Sequence, residues 1–425
     1  MDDPRVLIGL LFILAYALLS ERLERWWISM PIAMIVLGFI FGLDGLGLIS
    51  AEPHSEIVKV VAEMTLALML FHDAVRIDLR ALRRGYKLPL RLLGIGLPVM
   101  IVLGAAVAYG MMPALGLVGA ALLATMLAPT DAALGEAVVS DKRIPVTVRQ
   151  GLNVESGLND GLSVPIFLVL LAAAANPGGL ENGALVAELA RQVGYGILGG
   201  LLLGGLGGLL FRWAATRHVM AEPWRRIAVM AIAISCFTCA AVLGGSGFIG
   251  AFVGGVLFGL ASEARTPADN SFTGNLGTVF DAVSFLLVGA MLLPRALATA
   301  GWQEWVYAAL SLLMLRLVSV AVASIRSGAK WQTVLFMGWF GPRGLATVVF
   351  TVMLIDEGIP NGDVIAATAV LCVVMSALAH GITAPPLVSA YSRWWERMTQ
   401  AGATTMEAQD VPEHPGPAVT SATTR

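Results

Sequence analysis

The sequence predicts an all-α polytopic membrane protein, and two observations support that prediction. Hydrophobic residues make up 57% of the 425-residue chain and charged residues only 13%, against about 25% charged residues in soluble domains. The apolar residues also fall into stretches of helix length that are separated by short polar loops. The formal net charge of −2 gives no indication of nucleic-acid binding.

Thirteen apolar stretches are long enough to form helices. They lie at roughly 5–21, 30–49, 56–75, 88–110, 113–138, 147–174, 189–211, 224–244, 247–262, 272–293, 303–325, 331–355 and 362–390. The last is long enough to be broken near Pro385-Pro386. We expect residues 1–397 to form one transmembrane domain. Residues 398–425 are polar and lack an apolar period, which predicts a disordered cytoplasmic tail.

The distribution of Lys and Arg predicts the orientation of the chain. Loops such as 76–91 and 142–149 are basic, whereas alternate loops such as 42–55 and 176–188 contain no Lys or Arg. Because cytoplasmic loops carry the excess of positive charge, we expect the N-terminus outside and the C-terminus in the cytoplasm. The membrane would be the cell inner membrane.

Two predicted spans contain helix breakers beside charge. The first has the run Ala-Pro-Thr-Asp at 128–131, and the second has Gly-Pro-Arg-Gly at 341–344. Each proline removes a backbone hydrogen bond, and a broken helix is tolerated in a membrane only inside protein or beside a wet cavity. The two spans are seven apart, so they run in opposite senses, as an inverted repeat requires. Paired broken helices indicate an ion site near the midplane.

Four of the charged residues within apolar spans lie in the two breaks or in the run at 155–161: Asp131, Glu155, Asp160 and Arg343. Each costs about 2.5 kcal/mol or more near the bilayer centre, so their presence indicates an ion or proton pathway. Glu155 and Asp160 are five positions apart, so the two carboxylates point in different directions on a helix. Arg343 is the best partner for Glu155 because its planar fork suits a carboxylate. That pair would stay ionised and would have a structural role.

The remaining groups predict the chemistry. Ser156 and Asp160 share a helix face, and Asp131 could meet Asp160 across a cavity. A carboxylate with little water around it holds either a proton or a hard monovalent cation. Hydroxyls, carbonyls and carboxylates suit Na⁺ or Li⁺, and the Cys and His ligands of a zinc site are absent from these runs. One exchangeable carboxylate would give electroneutral exchange without a cofactor.

The sequence leaves the roles of several other polar residues open. Arg316 is either a scaffold cation or a second partner for a carboxylate. Asp281 binds a neighbouring helix or lines the core. His72 and Asp73 stand at the end of a span, where an interfacial cap is the favoured interpretation.

The runs at 128–131, 155–161 and 341–344 resemble the signatures of NhaP-type sodium/proton antiporters, in the first monovalent cation:proton antiporter family. The resemblance implies an NhaA/NhaP-like fold with an elevator-like movement, and a homodimer in membrane lipid. It also implies that Asp131 and Asp160 bind the cation with help from Thr130 and Ser156, and that Glu155 pairs with Arg343. Asn159 before Asp160 is similar to the electroneutral branch.

Three alternatives have different consequences. A K⁺/H⁺ antiporter of the same fold would use the same oxygen ligands. A passive cation channel would give a flux that never couples to a pH gradient. An intramembrane serine peptidase would use Ser246 and His380 but would leave the four charged residues unexplained, so we expect a transporter of cations and protons and not an enzyme.

Overall fold

A computed structural model describes residues 4–49, 56–76, 87–131, 134–176, 183–262, 267–401 and 405–408. Over these ranges the chain forms helices that are joined by short loops. They are α1 Pro4–Arg25, α2 Met30–Phe41, α3 Glu56–Val75, α4 87–111, α5 113–126, α6 Glu136–Val139, α7 Val146–Ala175, α8 184–216, α9 Glu222–Val242, α10 Gly247–Ser262, α11 267–299, α12 302–324, α13 Trp331–Trp339, α14 Leu345–Glu357 and α15 Gly362–Gln400.

The all-α prediction is confirmed. Seven of the described helices are long and apolar enough to cross a membrane, and three shorter helices are apolar as well. Each predicted apolar stretch coincides with a described helix or with a pair of helices around a break. The number of thirteen membrane crossings stays a prediction.

Close packing of α3 against α10 fixes the end of α3. A Cβ atom at Gly255 would lie 2.6 Å from the carbonyl oxygen of Phe71, and one at Gly259 would lie 2.5 Å from that of Val75. Only glycine allows the two backbones to approach this closely. The last turns of α3, which contain Asp73, are therefore held firmly inside the helix bundle.

Both predicted helix breaks are present. Helix α5 ends at Met126, before the first proline run, and the span at 331–355 divides into α13 and α14 around residues 340–344. The break suggested near Pro385 and Pro386 is not found, because α15 is helical from Gly362 to Gln400. Both prolines are exposed between the buried Ala384 and Val388, so packing on the other face of the helix continues past them.

The prediction of a disordered tail is wrong for the part that the structure describes. Residues Met406–Ala408 form a 3₁₀ turn in which Met406 and Glu407 are buried. The Glu407 carboxylate accepts hydrogen bonds from the Lys330 N–H (2.9 Å) and from Thr333 Oγ1 (2.6 Å). Its carbonyl accepts one from Thr147 Oγ1 at 3.1 Å. This contact involves too few residues to give a periodic signal. Residues 402–404 and 409–425 lie outside the described residues.

Candidate ion-binding site

The two helix breaks contact each other, and each supplies hydrogen-bond partners for backbone groups that the other break leaves without helical partners. The Asp131 N–H donates to the carbonyl of Pro342 (2.8 Å), and the Leu345 N–H donates to Asp131 Oδ2 (2.9 Å). In the other direction, Arg343 Nη1 donates to the carbonyls of Ala128 and Pro129, each at 3.0 Å. A carboxylate thus lies at the amino end of α14, and a guanidinium lies beside the carbonyls that follow α5. Both placements complement the partial charges of helix ends.

Two glycines of the second break make room for these charges. A Cβ atom at Gly344 would overlap the Asp131 carboxylate, and one at Gly341 would overlap the Arg316 guanidinium. The run Gly-Pro-Arg-Gly at 341–344 therefore does more than interrupt a helix. It opens two spaces through which charged side chains of other elements reach the centre.

Arg343 is held from several sides. The residue is fully buried, and its N–H donates to Ser376 Oγ at 2.7 Å. His380 lies one turn after Ser376 on α15, with Nδ1 3.1 Å from Ser376 Oγ and Nε2 2.8 Å from the carbonyl of Trp339. The end of α13 and the start of α14 are thus tied to α15. His380 is committed to this brace, whereas Ser246 Oγ accepts from the Ile249 N–H, so the two residues form no catalytic dyad.

The predicted Glu155–Arg343 pair is wrong, because Glu155 pairs with Arg316. Two guanidinium nitrogens of Arg316 donate to the two carboxylate oxygens, with Nη2 2.7 Å from Oε2. The side chains are only 4% and 6% exposed. A π-helical turn, Ser311–Leu315, directly precedes Arg316, and such turns change the direction of the following side chains. Together with the space above Gly341, it brings Arg316 to Glu155.

Helix α7 supplies a polar group beside the first break. Asn159 Nδ2 donates to Thr130 Oγ1 at 2.7 Å, and Thr130 Oγ1 donates to Ser156 Oγ at 3.4 Å. Ser156 Oγ in turn donates to the Thr130 carbonyl. Three of the residues singled out from the sequence are therefore in direct contact and fix the break against α7.

Several acceptor oxygens next to this group have no protein partner. Asp160 Oδ1, Asn159 Oδ1 and Ser163 Oγ are buried atoms without a hydrogen bond. Buried polar atoms without partners are rare in native proteins and need an explanation. Asp160 is also close enough to Asp131 for their charges to act on each other. These are the properties expected of a place where a cation or a proton binds.

A small cavity of about 20 Å³ lies against the break. Thr130, Asp131 and Ser156 line its polar side, and Leu152, Phe340 and Pro342 are among its apolar lining. A volume of this size holds about one water-sized group. Within the described residues, no three His, Cys, Asp or Glu side chains are grouped closely enough to hold a metal ion.

The sequence interpretation missed Asp73. It favoured an interfacial cap, but the structure places the Asp73 Cβ 3.4 Å from the position of a Cβ atom at Gly157 on α7. Asp73 is also within range of electrostatic interaction with Asp160. The glycine at 157, in the middle of the acidic run, was the available signal, because it leaves space for a side chain from another helix.

Two broken helices that meet at a carboxylate-bearing centre are the arrangement of ion-coupled secondary transporters. The chain belongs to the family described as "Sodium/hydrogen exchanger, transmembrane", which matches residues 8–390. This is a family of transporters and not of enzymes.

Two individual antiporters are similar in sequence to most of this chain. The chain is 25% identical over 381 residues to "K(+)/H(+) antiporter NhaP2" of Shewanella oneidensis, covering 88% of this chain and 65% of that protein. It is 23% identical over 347 residues to "Na(+)/H(+) antiporter 2" of Zygosaccharomyces rouxii, covering 76% and 42%. The chain thus spans about two thirds or less of these relatives.

Solved structures show the same fold. The sodium proton antiporter MjNhaP1 from Methanocaldococcus jannaschii, solved at pH 8, superposes with a TM-score of 0.73 at 20% identity, covering 90% of this chain and 100% of that one. An electron-microscopy map of the same antiporter gives a TM-score of 0.71 at 19% identity, covering 92% and 98%. The predicted NhaP-like fold is therefore confirmed.

Proposed function

We propose that the protein exchanges one monovalent cation, Na⁺ or Li⁺, for one proton across the membrane. The observation that carries the proposal is the contrast between two carboxylates beside the first helix break. Asp131 accepts backbone N–H bonds on both oxygens, from Leu134 (3.2 Å) and Leu345 (2.9 Å). Asp160 Oδ1 has no partner. Asp131 is therefore fixed in place, and Asp160 is available to bind the exchanged ion.

The chemistry follows from competition at Asp160. A carboxylate with little water around it needs either a proton or a cation close by. Thr130 and Ser156 supply oxygens on one side of the small cavity, and Asp131 supplies the second carboxylate. Binding of the cation displaces the proton from Asp160, and binding of the proton displaces the cation. One exchangeable group gives a one-to-one, electroneutral exchange.

The Glu155–Arg316 pair and Arg343 form the rigid part of this proposal. Arg316 and Glu155 neutralise each other, and Arg343 neutralises the partial negative charge of the carbonyls that follow α5. Neither guanidinium therefore has to change partners when the cation binds. We further infer that the two broken helices move in an elevator-like manner. We also infer a homodimer embedded in lipid, an inner-membrane location and a cytoplasmic C-terminus. The family membership and the alternation of basic loops support these inferences.

K⁺ is the second candidate for the cation. Relatives at 24–25% identity from Shewanella and from Alkalimonas amylolytica carry the name K(+)/H(+) antiporter. Na⁺ and K⁺ use the same kinds of oxygen ligand, so selectivity rests on the size and stiffness of the cavity around Thr130 and Ser156.

Transport in proteoliposomes tests the proposal. The vesicles start acidic inside and contain a pH-sensitive dye, and Na⁺, Li⁺ and K⁺ salts are added in turn outside. The proposal predicts luminal alkalinisation by Na⁺ and Li⁺, at a rate that does not change when valinomycin and equal K⁺ clamp the membrane potential. If K⁺ causes alkalinisation and Na⁺ and Li⁺ do not, the exchanged cation is K⁺ and not Na⁺ or Li⁺. Cation flux without proton movement would favour the channel, and no response would refute exchange. Protein-free vesicles are the control.

A further inference from the structure

Asp281 is a buried carboxylate that the exchange site does not use. Asp281 lies in the middle of α11 and is 3% exposed. Its Oδ1 has no hydrogen-bond partner, and no described Lys or Arg forms an ion pair with it. A carboxylate in this condition holds a proton or depends on a cation nearby. A purely structural aspartate would have its oxygens satisfied.

The position of Asp281 connects it to the site. Helix α11 packs against α3, which carries Asp73, and also contacts α14. Asp281 is close enough to Asp131 and Asp73 for their charges to act on it, and a charge on Asp281 acts in turn on Asp160. A charge at Asp281 is therefore felt at the exchange site without direct contact with the bound ion.

The other neighbours of α11 leave this interaction unopposed. Helix α2 contains no ionisable side chain, and the acidic and basic residues of α1, α9 and α14 stand in the terminal turns of those helices. The thiols Cys236 and Cys239 of α9 are neutral groups unless strongly activated. Helix α3 also carries Lys59 and Glu63 near its start and His72 beside Asp73, and α15, which packs against the end of α11, carries His380 and charged residues near its two ends. The charges that act on Asp281 are those of Asp131 and Asp73, and Asp281 in turn acts on Asp160.

We propose that Asp281 is a positioning residue of the exchange reaction, a proton-holding carboxylate whose ionisation strengthens cation binding at Asp160 and Asp131. Four carboxylates in one poorly hydrated region cannot all be charged at once. In acid, Asp281 carries a proton and contributes no charge. In alkali, it loses the proton and its negative charge attracts the cation. Cation affinity then rises with pH through two groups, Asp160 and Asp281. This inference rests on the proposed exchange function.

The isosteric substitution Asp281→Asn tests the proposal, because an amide imitates the protonated acid at every pH. The measurement is the half-saturating concentration of Na⁺ and of K⁺ from about pH 5.5 to about pH 9, read from cation-dependent thermal stabilisation of the purified protein and from exchange in vesicles. At the alkaline end the variant should need roughly tenfold more cation than the unsubstituted protein. At the acidic end the two should agree within about twofold. Asp281→Glu should restore the pH-dependent difference.

Two controls separate a positioning role from a structural one. Ser284→Ala removes a buried polar group one turn along the same helix and should leave the pH profile unchanged. A constant ratio between Asp281→Asn and the unsubstituted protein at all pH values would overturn the proposal, whether that ratio is one or larger. If the unsubstituted protein neither binds nor exchanges cations, the exchange function fails and this inference fails with it. If it does both and Asp281→Asn follows it at every pH, only this inference fails.

Discussion

The ion pair between Glu155 and Arg316 makes a prediction that distinguishes it from the pairing with Arg343. We consider Arg316→Met, which removes the guanidinium but keeps most of the side-chain volume. Both partners are nearly fully buried and form two parallel hydrogen bonds. Breaking a buried pair by removing one partner costs about 3–5 kcal/mol, because the other charge stays buried alone. Arg316→Met should therefore lower the stability of the protein by about that amount.

The second substitution gives the decisive comparison. Glu155→Gln removes the charge that Arg316→Met leaves unpaired, so the double variant should recover about 2 kcal/mol or more relative to the sum of the single variants. Arg343→Met should also destabilise the protein, because the carbonyls of Ala128 and Pro129 lose their donor. Glu155→Gln should give no comparable recovery in that background.

Unfolding of the detergent-purified variants, followed by intrinsic tryptophan fluorescence, measures these differences. The unsubstituted protein, three single variants and two double variants form two thermodynamic cycles. A coupling energy near zero for Glu155 with Arg316, together with a large one for Glu155 with Arg343, would refute the pairing described above.

Three further predictions concern two glycines at close approaches and the buried carboxylate of Glu407. Gly344→Ala should abolish exchange, since its Cβ would overlap the Asp131 carboxylate; wild-type exchange in vesicles would contradict this geometry. Gly157→Leu should weaken cation binding by displacing Asp73, whereas Gly157→Ala, whose Cβ stays at ordinary contact distance, should be tolerated; titration of cation-dependent thermal stability compares the pair. Burial acts to raise the pKa of Glu407, but hydrogen bonds from the Thr333 hydroxyl and the Lys330 N–H hold that pKa below its ordinary value of 4.5. The stability from Glu407 is therefore present above about pH 4.5 and is lost as the pH falls through the lower, folded-state pKa. Glu407→Gln should increase hydrogen exchange in 405–408 at neutral pH, with the difference vanishing in stronger acid, and a pH-independent difference would contradict this cause.

Much of the fold could be predicted because its signals are strong and local. Long apolar stretches predict helices regardless of their neighbours, and prolines beside charged residues predict the breaks at 128–131 and 341–344. The contact of Thr130 with Ser156 and Asn159 was also accessible, since helical spacing places the last two on adjacent faces of α7.

The parts that could not be predicted depend on tertiary packing. Arg316 and Arg343 are equally suitable partners for Glu155 by chemistry, and only the π-helical turn before Arg316 and the space at Gly341 decide between them. Asp73 was interpreted as an interfacial cap because it lies in the last turn of its span, before a basic loop, and only the packing of α3 against α10 places that turn inside the bundle. The buried contact of Glu407 rests on three partners from distant segments.

In the proposed exchange, the proton and the cation compete for Asp160. Exchange by Asp160→Asn in proteoliposomes tests it most directly, with the unfolding temperature of the variant measured alongside as a check on folding. Asp160→Asn should show no cation-driven alkalinisation at any pH, and it should unfold at or above the temperature of the unsubstituted protein. Exchange at an undiminished rate by Asp160→Asn would contradict it.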